Sequence, residues 1–434
     1  MKLYLTLMAR IAAGILLSLP LLAHGDNLAM KPCRAGIFNE GTLKQDSAEV
    51  REQCQRAAKQ GDATAQTYVG LMYREGLGVQ KDYDEAMKWF RKAAKEGYAP
   101  AQDNIGDMYY YYLGFENRNE SFRSQDKRMK EAVKWYKLAA EQGYAPAQNS
   151  LAIMYGSGLG VPTDRAEAMR LYRLAAEQGL IEAQINLANK YFDRGRLEKE
   201  DETEAAKSYA EAAKWYRKAA EQGSGTAQYN LGKIYAEGRG VEKDEAEAAK
   251  WYRPEAEKGN QFSQVELGKI YAEGRGVKKD EAEAMKWFRL AADKNNGEAQ
   301  FQISKMYAEG RGVKKDDAEA VKWLRLAAGN MNTPAQLELG KRYLEGRGVE
   351  KNVDEAMAWF KRVETVEETG AAAFELAKWH GGSLCIENSN NIAARARWCE
   401  AEEMRWYKES AKKGYPEAKA ALEALAAKGS LQTK

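Results

Sequence analysis

An all-α solenoid, a stack of short helix pairs sharing one continuous core, is the fold class this sequence predicts, on three observations. A 36-residue pattern recurs along the chain, each copy holds two stretches with helical spacing of apolar residues, and a Gly-x-Gly turn separates the two. No copy can bury both of its helices alone, so neighbours must stack. The repeat replaces the count that 434 residues would otherwise suggest, about three domains at roughly 150 residues each.

Residues 1–25 come first. They open with Lys2 and Arg10, continue through the apolar run Ile11 to Leu22 and end in Ala23-His24-Gly25. A basic start, a short apolar core and small residues at the end predict a secretory signal peptide, cut after Gly25 or Ala23. The competing reading is an uncleaved anchor, but the apolar run is shorter than the roughly 20 residues a span requires. No cysteine stands at the cleavage point, and no later stretch resembles a membrane span. The mature chain is therefore expected to be soluble and periplasmic or secreted.

Cysteine placement fits an oxidising compartment: Cys33 and Cys54 lie near one end, Cys385 and Cys399 near the other. Four cysteines allow three connectivities, of which two local bridges are the simplest. A Cys385–Cys399 bridge would close a loop of about 15 residues, worth on the order of 3 kcal/mol. Zinc is the alternative, though no Cys-x-x-Cys spacing is present.

The copies Ala65–Pro100, Ala147–Glu182, Ala227–Phe262, Ser263–Glu298, Ala299–Pro334 and Ala335–Gly370 are each 36 residues long. Ala101–Pro146 carries ten extra residues, Ala183–Thr226 eight, and 371–417 is a divergent ninth copy. Each reads small-Gln, Leu-Gly-x-x-Tyr, Gly-x-Gly-Val, Asp, and then Ala-x-x-Trp-aromatic-x-x-Ala-Ala. In the first copy, helix A places Ala65, Val69, Met72 and Tyr73 on one face, and helix B does so with Ala86, Trp89, Phe90, Ala93 and Ala94. Small residues let the axes approach closely while the rings fill the gaps between turns. Within residues 26–64, Ala48–Lys59 reads as a lone helix B that caps the first copy. Within 418–434, Ala418–Lys428 reads as a lone helix A that closes the last.

These motifs resemble the Sel1-like repeat, a relative of the tetratricopeptide repeat, over about residues 48–427. The resemblance implies a right-handed superhelix of about nine helix-turn-helix units that acts as a scaffold or adapter. Bacterial members are largely exported, among them envelope regulators, polysaccharide-export components and host-interaction factors. It implies binding rather than catalysis and does not name the partner.

In the tetratricopeptide relatives, exposed helix A positions line a concave groove. Mapped onto this chain, the residue after the helix A glycine gives Lys233, Lys269, Lys305, Lys341 and Lys378. The third residue of each unit gives Tyr229, Val265, Phe301, Leu337 and Phe374. Tyr229, Lys233, Lys269, Phe301, Lys305, Lys341, Phe374 and Lys378 are accordingly the candidate partner-binding residues. A lysine row beside an apolar row suits an acidic peptide or an anionic polysaccharide, and Arg239, Arg275, Arg311 and Arg347 in the turns add a second basic row. The first half is mixed, with Thr67, Asp103, Asn149 and Ile185 at the third position and Leu71, Asp107, Ile153 and Asn189 at the later one. The bland reading of the lysines is solvated pairing with Glu237, Glu273, Glu309 and Glu345, four residues on.

Three departures carry expectations of their own. Pro254 inside a helix B predicts a kink or a shortened helix. The second copy's insertion, after Tyr109–Tyr112 and with Phe115, Arg118, Phe122, Arg123, Lys127 and Arg128, reads as a set of binding anchors or as a disordered loop. Glu198–Ala212 is expected to lengthen a helix B.

Other chemistries find little support. The formal charge of +3, or +1 without Lys2 and Arg10, is too small for a general nucleic-acid binder. With His24 in the leader, His380 is the mature chain's only imidazole, which excludes mechanisms needing two histidines and His-rich metal sites. Gly-x-Gly-Val follows a helix rather than a strand, so it is no nucleotide fingerprint. Ser-x-x-Lys occurs at Ser124–Lys127 and Ser410–Lys413 without the companion motifs of β-lactam-acylating enzymes. The expectation is an exported scaffold that holds a protein segment in its groove, with no catalytic residue, metal or cofactor. An anionic polysaccharide or cell-wall ligand is the second reading, and weak β-lactam hydrolysis a distant third.

Overall fold

The computed structural model describes residues 48–112, 122–198, 200–364, 370–380 and 392–432. Among them every regular element is a helix, and consecutive helices pack in pairs. The chain divides into two compact units between Lys243 and Asp244. In the first unit, α1 (Ala48–Lys59) precedes the hairpins α2 (Ala63–Glu75) with α3 (Tyr83–Lys95), α4 (Ala99–Asp107) with α5 (Phe122–Glu141), α6 (Ala145–Ser157) with α7 (Arg165–Glu177), and α8 (Ile181–Leu197) with α9 (Glu202–Glu221). It ends on α10 (Gly225–Glu237). The second unit opens on α11 (Glu245–Glu257), followed by α12 (Gln261–Glu273) with α13 (Glu281–Ala292), α14 (Gly297–Glu309) with α15 (Asp317–Gly329), α16 (Thr333–Glu345) with α17 (Val353–Glu364), and α18 (Ala371–His380) with α19 (Ile392–Lys412). The last helix is α20 (Pro416–Gln432).

Each recurring residue has a packing task. The Asp before helix B is its N-cap: Asp280 accepts from Glu283 N at 2.9 Å, as Asp82, Asp164, Asp244 and Asp316 do at their own helices, and Asn352 takes the same role before α17. The second glycine of the turn has positive φ and lies against the preceding helix B, so that a Cβ on Gly160 would sit 2.5 Å from the Met129 carbonyl carbon. Within a hairpin, the glycine of Leu-Gly makes room for the helix B aromatic: a Cβ on Gly268 would meet the fully buried Phe288 ring at 2.6 Å.

Two kinds of rung tie one hairpin to the next. The buried glutamine at the second position donates to a carbonyl near the end of the previous helix B, as Gln264 Nε2 does to Ala256 O at 2.9 Å and Gln336 Nε2 to Ala328 O at 3.0 Å. This adds a second donor to a terminal carbonyl that already accepts from the following turn, Gly259 N at Ala256 O and Met331 N at Ala328 O. A helix B arginine donates to the Tyr hydroxyl of the following helix A, as Arg289 does to Tyr307 and Arg325 to Tyr343.

The expected caps are present. Cys54 and Ala58 of α1 are buried against Ala65, Tyr68, Val69 and Met72 of α2. At the other end Ala418 of α20 is buried against Ala377 and Tyr407. The extra residues of 183–226 lengthen helix B to the 20 residues of α9, and also helix A to the 17 of α8, which was not anticipated. The shortening expected at Pro254 does not occur: α11 runs its full 13 residues. Pro254 falls in the last turn, where one donor is lost but its own carbonyl still accepts from Lys258 N at 3.2 Å. Cys33, Cys385 and the insertion residues Phe115 and Arg118 lie outside the described residues.

Candidate functional site

In the second unit, helix A of each hairpin carries the lysine row, and the structure shows how these charges are compensated. Lys269 is half-buried and bound at 3.3 Å to Glu266 of its own helix and at 3.2 Å to Glu298 of the next helix A. Burial works against its charged form, but Glu266 and Glu298 outweigh it and hold the pKa above the usual lysine value. Lys341 reaches across in the same way to Glu375 at 3.2 Å, which Lys378 also approaches at 3.4 Å. Lys305 differs, since among the described residues no carboxylate comes within ion-pairing distance of it. Its local acidic position is filled by Gln302, which donates to Glu298 at 2.8 Å. The Glu338 that would serve it from the next helix A is held at 3.1 Å by both Arg342 and Arg347.

The apolar row is less uniform than its spacing suggests. Phe301 and Leu337 are half-buried and flank Lys305 in the row, the Lys305 ammonium standing 5.8 Å from the Phe301 ring centre. Val265 is buried in the core, and Phe374 stacks on Tyr407 and Tyr415 at 5.4 and 4.9 Å, within the C-terminal cap. Lys378 lies beside Phe374 and is exposed.

The turn arginines are neutralised. Arg275 pairs with Glu273 and Glu245, both at 2.9 Å, and Arg311 with Glu309 at 2.6 Å. Of the glutamates expected to pair with the lysines four residues earlier, Glu273, Glu309 and Glu345 thus serve the turn instead. In the first unit, Glu237 pairs with Arg239 and stands 3.9 Å from Lys233, while Tyr229 is half-buried.

Elsewhere in the first unit the corresponding helix A positions hold a cluster that sequence reasoning placed among exposed residues. Asp103 and Asp107 of α4 are more than nine-tenths buried, as is Arg74 of α2. Asp107 accepts from the Tyr136 hydroxyl at 2.8 Å and lies 3.8 Å from the Arg74 guanidinium. Arg74 also donates to Asn104 and Glu75, both at 2.7 Å, and its guanidinium sits 5.4 Å from the Tyr112 ring centre. Burial raises the Asp103 carboxyl well above the usual range and Asp107 adds to this, with Arg74 only partly opposing. Asp107 is raised by burial too, against Arg74 and the Tyr136 hydrogen bond. The available signal was positional: Arg74 stands where other copies carry small or apolar residues, and acids at both the third and seventh places occur in this copy alone.

Beside this cluster α4 opens into a π-turn, Met108–Tyr112, whose Tyr109 and Tyr110 carbonyls accept from Arg128. The tyrosine run and Arg128 are therefore part of the packing, and the turn stacks Tyr112 on Tyr83 at 5.2 Å. Ser410 is fully buried, donating to Gly370 O at 2.8 Å, so its Ser-x-x-Lys arrangement presents no hydroxyl to solvent.

A family model described as Sel1 repeat matches residues 63–98, 99–144, 145–180, 181–224, 225–260, 261–296, 297–330 and 333–362. This chain belongs to the Sel1 repeat family. Among solved structures, it is similar to a protective antigen of uropathogenic Escherichia coli with an SLR fold, at 32% identity and TM-score 0.66, over 87% of this chain and 75% of that one. It is also similar to a Sel1 repeat protein from Oxalobacter formigenes, at 29% identity and TM-score 0.52, over 82% and 96% of the two chains. A search of curated proteins finds no match. The hairpin α18 with α19 lies beyond the last matched residue, and its two helices pack against each other as a pair. Among the described residues no helix is long and apolar enough to cross a membrane.

Proposed function

We propose that this Sel1 repeat protein is an exported binding scaffold, and that helix A of its second unit receives an acidic, partly apolar segment of a partner protein. Sel1 repeat scaffolds serve protein–protein interaction, and the reading is of a binder rather than an enzyme. The observation that carries it is Lys305: a half-buried cation with no carboxylate in ion-pairing distance among the described residues, 5.8 Å from the Phe301 ring centre, in a row whose neighbours Lys269 and Lys341 are already paired. A glutamate or aspartate entering there gains an ion pair while an adjacent side chain covers Phe301 and Leu337. Export rests on the leader-like residues 1–25 and on the two described cysteines, Cys54 and Cys399, neither of which is a free thiol. Pairing with Cys33 and Cys385 would staple the N-terminal cap and the last hairpin. The similarity to a protective antigen supports a location outside the cytoplasm.

Crosslinking and mass spectrometry in an envelope extract, with mature protein and its Lys305→Glu variant, tests this. Loss of a specific protein crosslink in the variant is expected. An unchanged crosslink pattern sinks the lysine-centred face. Retention on an anionic glycan column that Lys305→Glu abolishes, without any protein crosslink, would move the reading to a polysaccharide ligand.

A further inference from the structure

We propose that the segment received by the lysine face of the second unit belongs to a second copy of this chain, and that it is the acidic tip joining α8 to α9 in the first unit. The inference rests on the reading of Lys305 given above and names its occupant. The extra residues of the 183–226 copy lengthen α8 to 17 residues and α9 to 20, against 13 in each helix of the preceding hairpin. Much of this extension is packed. A Cβ on Gly195 would lie 3.0 Å from the Tyr209 ring, Phe192 stacks on Tyr209 at 5.2 Å, and Arg239 of the next turn stands 5.5 and 5.4 Å from the two ring centres. Ser208 is buried and donates to Glu198 at 3.0 Å, and Glu198 also holds Arg194 at 2.7 Å.

The tip itself is left open. Leu197, at the end of α8, is 75% exposed, and Glu200, Asp201 and Glu202 after it are exposed as well. Asp201 caps α9 through Thr203 N and Glu204 N, both at 3.0 Å, and Glu204 pairs with Lys207. Glu200 and Glu202 have no cation in ion-pairing distance among the described residues. Six copies build the hairpin from 36 residues alone, so this leucine and its acids are additions to the repeat rather than parts of it. They complement the other face: two unpaired carboxylates and an uncovered leucine against an unpaired lysine and the half-buried Phe301 and Leu337. Scale agrees too. Leu197 and Glu200 are three residues apart, at most about 11 Å between Cα atoms, and the Lys305 ammonium stands 5.8 Å from the Phe301 ring centre. One tip can therefore set a carboxylate on Lys305 and the leucine on the apolar row. The Phe192–Tyr209 and Ser208–Glu198 contacts hold both ends of the tip, which limits the conformational freedom lost on docking. A formal charge of +1 without Lys2 and Arg10 leaves little long-range repulsion between copies.

The test is sedimentation velocity of the mature chain at low salt from about 1 μM to about 500 μM, the range suited to a small, transient interface. The weight-average mass should rise with concentration, and the rise should shrink in high salt. Its limit tells whether two copies exchange both contacts or pass them on to further copies. The face variant Lys305→Glu and the tip variant Leu197→Ser with Glu200→Lys and Glu202→Lys should each stay monomeric. Mixed in equal amounts they should regain a one-to-one complex, because the first keeps an intact tip and the second an intact face. A folding defect in either variant cannot produce that recovery. Monomer mass of the unaltered chain at every concentration, association that either variant retains, or a mixture that stays monomeric would each overturn the proposal. If the unaltered chain is monomeric but still loses an envelope crosslink on Lys305→Glu, the lysine face stands and its occupant is a different protein.

Discussion

Helix A of the second copy, in the first unit, and helix A of the Ala299–Pro334 copy, in the second, occupy the same place in the repeat with opposite chemistry. The first puts Asp103 and Asp107 at the third and seventh positions, where tyrosines and Arg74 bury them. The second puts Phe301 and Lys305 at those positions and leaves both half-buried. What recurs in both units is the internal packing: Gly106 accommodates Tyr136 as Gly268 accommodates Phe288, a pair that Ser304 and Leu324 replace in the Ala299–Pro334 copy, and Gln148 and Gln300 reach back to the carbonyls of Ala140 and Ala292. The hairpin therefore fixes its own geometry through glycine, aromatic and glutamine, and leaves two helix A positions free to specialise. Their burial is decided by neighbouring side chains rather than by the repeat.

Removing the guanidinium is the harshest test of that contrast. Arg74→Met should cost the first unit about 3–5 kcal/mol, because it strands Asp107 without its buried counter-ion. The seventh-position change Lys305→Met should leave the second unit within about 0.5 kcal/mol. Since a repeat array need not unfold as one, hydrogen exchange of α2 and α4 against α14 and α16 in urea is the appropriate measurement. Equal losses in the two units would show that the acidic cluster is not held by Arg74.

The next effect has the opposite sign. The fold raises the Asp103 pKa through burial first and Asp107 second, so the folded chain holds a proton that the unfolded chain has already released. Whatever stability the protonated carboxyl contributes is complete below the unfolded value of about 4 and is lost as pH rises through the raised folded value. Charged or titratable groups that interact with it come from three helices, the π-turn and the start of α6: Arg74 from α2, Asp107 from α4, Tyr136 from α5, Tyr111 from the turn and Tyr144 just before α6. Asp103→Asn should therefore stabilise the first unit at neutral pH by about 1–3 kcal/mol and flatten the pH dependence of exchange in α4. A variant that is less stable at neutral pH would mean that Asp103 is already compensated.

The repeat was legible because its signals are local. The Asp that caps helix B, the turn glycines and the Gly–aromatic pair all lie within one 36-residue copy, and each needs a specific residue type. Register alone also placed Lys269, Lys305 and Lys341 on one face. It could not reveal that Glu298 and Glu375 arrive from the next helix A, or that Arg342 and Arg347 withdraw Glu338 from Lys305. The buried aspartates were harder still. Their environment combines Arg74 from one copy, Tyr136 from helix B of the next and a π-turn, and no spacing rule links those elements.

A third prediction concerns what the units share. The arginine-to-tyrosine rung joins Arg91 to Tyr109 in the first and Arg289 to Tyr307 in the second, at 3.3 and 3.2 Å. Tyr109→Phe and Tyr307→Phe should each cost about 0.5–1 kcal/mol, because in both cases one solvent-competed acceptor is lost. A loss several times larger for Tyr109→Phe would mean that the π-turn depends on this hydroxyl, and that the two faces differ in scaffold as well as in chemistry.

The smallest expected effect separates Lys305 from the other lysines of its own row. Lys341→Met removes one of two cations beside Glu375, whose side chain is only 12% exposed, so Lys378 must carry that carboxylate alone. Lys269→Met likewise leaves Glu298, itself half-buried, with its amide partners but no cation. Both changes should cost a few tenths of a kcal/mol, up to about 1, and the losses should shrink in salt. Lys305→Met removes no pair, so it should lie at or below zero cost with no salt dependence. The comparison of the three variants in low and high salt thus reports on the folded scaffold without any partner present. If Lys305→Met destabilises as much as Lys341→Met and loses that cost in salt, Lys305 has a carboxylate in solution and is not held open for a partner.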